Sequence, residues 1–326
     1  MAEVLETKVK RVVGRLAPSP TGALHLGNVR TFMIAYLRVR SQGGRLIFRM
    51  EDLDHPKDKP GAAQAAVEDL RWLGFEWDEE YVQSERTGCY RQALEILRPQ
   101  VYPCVCSRKD VEAAQSAPHA GEQLHYSGTC RGRFSSWAEA KAFKGADPCW
   151  RFRVAEGTQV TFTDAFAGPF AQDVAATLGD FPLARDEHGA GYTLACAVDD
   201  LLMGVTEVVR GDDLLAATPA QLLLARALAP ALGVEQLPTY CHVPLVVGPD
   251  GKRLAKRHGD TRIAAFRAAG VRPEAILGHL AASCGWAERG EEVSLNNLVP
   301  RFDLNTIPPQ PFMCKSVNCK PDESIF

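Results

Sequence analysis

Residues 18–28, Pro18-Ser19-Pro20-Thr21-Gly22-Ala23-Leu24-His25-Leu26-Gly27-Asn28, leave few folds open to this chain. The run RVVGRLA before them (11–17) reads as a buried strand, and two prolines with a glycine break it sharply. From about Leu26 to Ser41 the apolar residues Leu26, Val29, Phe32, Met33, Tyr36, Leu37 and Val39 largely keep helical spacing, until Gly43-Gly44. A second strand (Arg45–Glu51), a polar loop (52–61) and a helix from Ala62 to Leu73 follow. Strand, helix, strand, helix is the opening of an α/β fold with a doubly wound parallel sheet. A helix that starts straight off a strand presents unpaired N–H groups and positive dipole charge, which suit a phosphate. Gly22 and Gly27 would let a ligand approach the backbone. His25 could donate a hydrogen bond as negative charge builds on a phosphate oxygen. These residues alone leave a second reading open, a plain turn whose histidine caps the helix.

Residues 101–190 change character: they are rich in His and Cys, with prolines and short strands such as Trp150–Val154 and Val160–Thr163. They read as an insertion between halves of the sheet domain, 11–100 and 191–250. The α/β rhythm resumes with Tyr192–Val198 and Glu207–Val209, a helix from Pro219 to about Leu232, and His242–Val247. A basic loop and Ala-rich helical region (251–312) and a flexible tail (313–326) complete the expected organisation, the chain being loose from Pro308 onwards. A net charge of −3 rules out a generally basic nucleic-acid binder, so any RNA contact must rest on local patches. Residues 1–8 hold no apolar signal core, and no run of 18 or more apolar residues suggests a membrane span. The expected setting is the reducing cytoplasm, where clustered cysteines point to metal and scattered ones to packing.

Of the ten cysteines, Cys104, Cys106 and Cys130 cluster within the insertion. Three thiolates are one short of the tetrahedral set zinc prefers, and His119, His125 and Tyr126 are candidates for the fourth ligand. General chemistry favours His125, since imidazole binds zinc more readily than a phenol. Cys89, Cys149, Cys196, Cys241, Cys284, Cys314 and Cys319 read as scattered, and Trp72 and Trp77 as core or ledge residues. Later, after the turn Pro249-Asp250-Gly251-Lys252, the loop Arg253-Leu254-Ala255-Lys256-Arg257 gathers cations suited to β- and γ-phosphates.

The segment from Arg15 to Asn28 resembles the first signature of class I aminoacyl-tRNA synthetases in its glutamyl form. IFRMEDLD (47–54), WLGFEWDE (72–79) and GVTEVVRGDDL (204–214) are also similar to glutamyl enzymes. The basic loop resembles the second signature, Lys-Met-Ser-Lys-Ser, but departs from it at Arg253 and Ala255; Lys256 matches its second lysine. The resemblance implies a Rossmann-type parallel sheet with an inserted zinc-bearing α+β subdomain and a short C-terminal helical region. It implies ATP bound at Gly22, His25, Gly27, Asn28 and Lys256, with His25 and Lys256 catalytic and Mg²⁺ accompanying ATP. It implies L-glutamate at Arg15, Ser19, Glu51, Tyr192 and Arg210. Arg15, Tyr192 and Arg210 would take the side-chain carboxylate and Glu51 the ammonium.

Cys-x-Cys followed by Tyr-x-x-x-Cys is similar to the zinc site of glutamyl-queuosine tRNA(Asp) synthetases, which implies a structural zinc on Cys104, Cys106, Tyr126 and Cys130. Only residues 258–326 follow the basic loop, too few for an anticodon-reading region of the ordinary glutamyl kind. The expected reaction is glutamate activation without tRNA, then transfer to the queuosine ring of tRNA(Asp). The rival readings are a free-standing catalytic half that charges a tRNA 3′ end and an inactive relative. Arg131, Arg133, Lys252, Arg257 and Arg262 are expected phosphate contacts, and the chain is expected to be a monomer.

Overall fold

The computed structural model describes residues 11–53, 58–114, 124–252, 254 and 260–314. Strands β1 (Val13–Leu16), β2 (Arg45–Met50) and β3 (Glu79–Val82) form one parallel ladder with β2 in the middle. Helices α1 (Leu26–Arg40) and α2 (Ala62–Trp72) connect them, and α3 (Thr87–Ile96) follows β3. β1 and most of β2 are buried, as central parallel strands covered on both faces must be. α1 packs tightly on β1, because Gly14 has no side chain: a Cβ there would collide with Val39.

The insertion holds an antiparallel sheet, in the order β4 (Val101–Cys104), β5 (Cys149–Phe152) and β8 (Phe181–Ala184). It also holds α4 (Arg108–Ala114), α5 (Trp137–Lys144), the hairpin β6 (Gln159–Asp164) and β7 (Gly168–Asp173), and α6 (Val174–Thr177). The chain then returns through α7 (Tyr192–Leu202), β9 (Glu207–Gly211), α8 (Thr218–Leu232), β10 (Thr239–Val243) and β11 (Val246–Val247). β9 and β10 pair in parallel, and β9 lies beside β1, where Thr206 N–H donates to Val13 O at 2.9 Å. The strands therefore run β3-β2-β1-β9-β10. Strand order reverses between β1 and β9, and the crevice at their carboxyl ends is where open α/β sheets bind ligands. Helices α9 (Ile263–Ala268), α10 (Pro273–Ala282) and α11 (Leu295–Leu298) complete the core around α1, and β12 (Phe312–Met313) ends the described chain.

Two expectations need correction. Tyr192–Val198 is not a strand but the start of α7, capped by extended Gly191. An unbroken apolar run carries no period that separates a buried strand from a buried helix; here the eleven-residue length decides it. The segment after Pro308 is not loose throughout: β12 pairs in parallel with β11, and Cys314 is buried. The helical run Asp212–Leu232 has a membrane-like length of 21 residues, and 18 consecutive residues of it reach a mean hydropathy of 1.3, but Asp212, Asp213, Gln221 and Arg226 interrupt its apolar character. Its buried residues, among them Leu222, Leu224, Ala225 and Leu228, pack within the protein beside α7. Trp77 stacks on Phe48 at 4.6 Å beneath Arg71, a ledge position.

Candidate active site

The turn after β1 delivers His25 to the N-cap of α1 in an extended conformation. Its Nδ1 accepts the Gly27 N–H at 3.1 Å, while its own N–H donates to Asn28 Oδ1 at 3.1 Å. This reciprocal cap satisfies two donors at the helix start. It also fixes the neutral tautomer: with Nδ1 as acceptor, Nε2 bears the hydrogen. Capping and donation to a ligand, the two roles left open by the sequence, use different nitrogens. A Cβ on Gly27 would stand 2.9 Å from the imidazole Cε1, so a side chain there would press the ring out of its capping position.

A cavity of about 460 Å³ opens over this turn. Ser19, Gly22, His25, Gly27 and Asn28 line it, together with Glu51, Tyr192 and Arg210. Arg15 does not line it. It is buried behind the wall, where Nη1 donates to Val209 O at 2.9 Å. Its Nε, 3.6 Å from Asp200 Oδ1, makes no hydrogen bond. Lys256 lies outside the described residues, with Arg253, Ala255 and Arg257. Within the loop Leu254 is buried in the core around α1, and after it Thr261 O accepts the Leu26 N–H at 3.1 Å. A second lobe of about 580 Å³ shares Ser19, Thr21, Glu51 and Tyr192 and extends past Gln83 and Asp186. A roomier hollow of about 640 Å³ lies in the insertion beside Tyr126 and Arg151, away from the capped turn. Chemistry, not volume, makes the first cavity the candidate site.

Glu51 is held from below. The fully buried Arg49 donates to Glu51 Oε1 at 2.9 Å and to Asp200 Oδ1 at 2.7 Å. Cys196 reaches the same Oε1 at 3.3 Å, so none of these bonds falls on Oε2. Asp199 continues the network, accepting from Gln83, Arg86 and Tyr90 at 2.8–2.9 Å. Burial alone would lower the basicity of Arg49, but Asp200 and Glu51 raise it well above its ordinary value. Burial, and then Asp199, push the Tyr90 phenol far up. Sequence reasoning missed Arg49, Asp199 and Asp200; the available signal was Arg49, a charged residue inside the strand RLIFRM well beyond its opening Arg45. On β9, Arg210 spends one donor from each nitrogen on its neighbours: Nε on His242 Nε2 (3.0 Å), Nη1 on Gln221 Oε1 (2.7 Å) and Nη2 on Thr218 Oγ1 (2.7 Å).

In the insertion, the sulfurs of Cys104, Cys106 and Cys130 all lie within 4.8 Å of one another. The Tyr126 hydroxyl stands 3.2 Å from Cys104 Sγ and 3.7 Å from Cys106 Sγ, and accepts the Cys130 N–H at 2.9 Å. His125 turns elsewhere, its Nε2 3.1 Å from Ala175 O; His119 is outside the described residues. Arg151 donates to Cys104 Sγ at 3.1 Å and lies 3.8 Å over the Tyr126 ring. Cys149, read as scattered, is the cross-strand partner of Cys104. Donation from Cys149 chiefly, opposed by burial and aided by Tyr126 and Arg151, lowers the Cys104 thiol pKa. Pairing across strands is invisible to spacing along the chain. Cys196, Cys241, Cys284 and Cys314 are buried, Cys89 is half-buried, and Cys319 lies outside the described residues.

Of the expected RNA contacts, Arg131 already pairs with Asp180 and Arg262 with Asp260. Arg133 lies over the Phe143 ring at 4.5 Å, and Lys252 is exposed.

Residues 11–315 match the catalytic domain of class I tRNA synthetases (E and Q), and the chain belongs to that family. Within it, the chain is 46% identical to a glutamyl-Q tRNA(Asp) synthetase from Symbiobacterium thermophilum, over 91% of this chain and 94% of that protein. A protein of the same description from Rhodopirellula baltica is 45% identical, over 92% and 95%. A glutamate–tRNA ligase from Aquifex aeolicus is 37% identical over 93% of this chain, but only 64% of that protein is matched. Among solved structures, a glutamate tRNA ligase from Elizabethkingia meningosepticum in complex with its amino acid superposes with a TM-score of 0.77 at 27% identity. The match covers 94% of this chain and 68% of that one.

Proposed function

We propose that this chain uses ATP to convert L-glutamate to glutamyl-adenylate without tRNA, and then transfers the glutamyl group to the queuosine cyclopentenediol in the anticodon of tRNA(Asp). The observation that carries the reading is one cavity joining a capped helix N-terminus to Glu51, Tyr192 and Arg210 at the reversal of strand order. Near end-to-end similarity to glutamyl-Q tRNA(Asp) synthetases supports this acceptor over the 3′ end of a tRNA.

In the first step the glutamate α-carboxylate attacks the α-phosphorus of ATP, a P–O bond forms, and pyrophosphate leaves. The carboxylate is already ionised near neutral pH, so no general base is needed. The protein supplies alignment and electrostatic stabilisation. The α1 N-terminus and the His25 Nε2–H face the phosphates, and Mg²⁺ bound with ATP would offset their charge. Lys256 would stabilise the departing pyrophosphate. Glu51 takes the ammonium, and Arg210 with Tyr192 the side-chain carboxylate. Arg15, buried beside Asp200 and bonded to Val209 O, would add positive charge at that end. The lobe past Gln83 and Asp186 has room for the acceptor nucleoside beside the adenylate. The deciding experiment is exchange of labelled pyrophosphate into ATP with no tRNA present. It should depend on glutamate; its absence would overturn the proposal. An ester found on the terminal adenosine, rather than in the anticodon loop, would favour a free-standing charging enzyme instead.

The insertion would hold a structural zinc on Cys104, Cys106, Tyr126 and Cys130. The donor set fits: three cysteine sulfurs and the Tyr126 hydroxyl oxygen already lie together, with Arg151 beside them to offset negative charge once a metal ionises them. Such a metal would pin a subdomain with little core of its own. Tyr126→Phe should weaken zinc retention against a chelator at least ~10-fold, since removing even a supporting partner costs that much. His125→Ala should retain zinc as the unsubstituted protein does. The reverse ranking would move the fourth ligand to His125.

A further inference from the structure

Arg210 is aimed by a chain of hydrogen bonds that begins in the insertion. Asp164, at the end of β6, is almost wholly buried against the sheet domain. Its Oδ1 accepts the N–H groups of Phe166, Ala167 and His242 at 2.8–3.0 Å. Its Oδ2 lies 2.6 Å from His242 Nδ1. A carboxylate there can only accept, so the imidazole carries its hydrogen on Nδ1 and presents a lone pair at Nε2. That lone pair meets Arg210 Nε at 3.0 Å, and the Thr218 hydroxyl lies 3.1 Å from the same nitrogen. Burial and the charge of Arg210 hold His242 below its ordinary basicity despite Asp164, consistent with a neutral ring. Arg210 spends three of its five donors on His242, Gln221 and Thr218, leaving one on each terminal nitrogen, the pair a carboxylate needs.

We propose that Asp164 is a positioning residue for glutamate recognition: it sets the His242 tautomer, which orients the Arg210 guanidinium toward the substrate's side-chain carboxylate. The insertion thereby takes part in amino-acid selection without touching the amino acid. This rests on the proposed glutamate site. The test is Asp164→Asn in the exchange assay. Asparagine keeps the Oδ1 acceptor for the hairpin, but its amide would donate to Nδ1 and drive the hydrogen to Nε2, where it opposes the Arg210 donor. The expected result is a KM for glutamate about tenfold higher or more, the scale of one lost hydrogen bond to a charged group, with the KM for ATP within about twofold. In a His242→Gln background, whose carboxamide oxygen replaces the Nε2 lone pair, Asp164→Asn should add nothing. An equal penalty in both backgrounds, or equal changes for both substrates, would mean that Asp164 only anchors the hairpin and would overturn the proposal. If unsubstituted protein shows no glutamate-dependent exchange, the site assignment itself falls. If it does, and Asp164→Asn leaves the KM for glutamate unchanged, only the positioning role falls. Should Asp164→Asn not fold, nitrogen NMR of unsubstituted protein still decides. The His242 signal, identified by its loss in His242→Gln, must report hydrogen on Nδ1; hydrogen on Nε2 overturns the proposal.

Discussion

Replacing His25 with alanine should slow glutamyl-adenylate formation by about 10²–10³-fold, the usual loss when one preorganised transition-state donor is removed. The same change should cost about 1 kcal/mol of stability, because alanine cannot cap α1. His25→Asn separates the two contributions. Asparagine is a good N-cap residue and can accept the Gly27 N–H that Nδ1 accepts now, but it has no counterpart to the Nε2–H. Single-turnover adenylate formation should therefore stay slow in His25→Asn while the unfolding midpoint recovers. A rate restored along with stability would reduce His25 to a cap.

The second large effect is on folding. Arg49→Met should destabilise the protein by about 3–5 kcal/mol, since removing one partner strands the other charges in the interior. Total stabilities are only about 5–15 kcal/mol, so this loss should be plain in a urea titration as a lower midpoint. Arg49 faces Glu51, Asp199 and Asp200 within 4.0 Å, all of them buried. Methionine fills similar space with no charge. A loss under about 1 kcal/mol would show that water or bound protons, not Arg49, compensate those carboxylates.

Much of this site could be read along the chain, because the first signature is local. The strand, the break at Pro18–Gly22, the capping pair His25 and Asn28 and the helix all fall within residues 11–41, and each is governed by near neighbours. What stayed hidden depends on residues far apart in sequence. Arg49 meets Asp200 across 151 positions, and Asp164 meets His242 across 78. Cys149 joins Cys104 only because β4 and β5 pair antiparallel. Tyr192 was misread for a different reason. Its segment is apolar on every side, so it reads as well as a buried strand, yet Tyr192 stands at the start of a helix. It reaches the cavity all the same, since α7 begins at the rim.

The late pairing of β12 with β11 bears on how the crevice matures. Leu245 and Val246 help wall the cavity, yet their backbone is clasped by Phe312, whose N–H donates to Leu245 O at 2.9 Å. On a ribosome, every wall residue described around the nucleotide cradle would emerge well before the segment that braces that edge. Competence to hold substrate should therefore lag behind synthesis of the lining itself, and a nascent chain stalled near residue 300 would carry the pocket without its buckle.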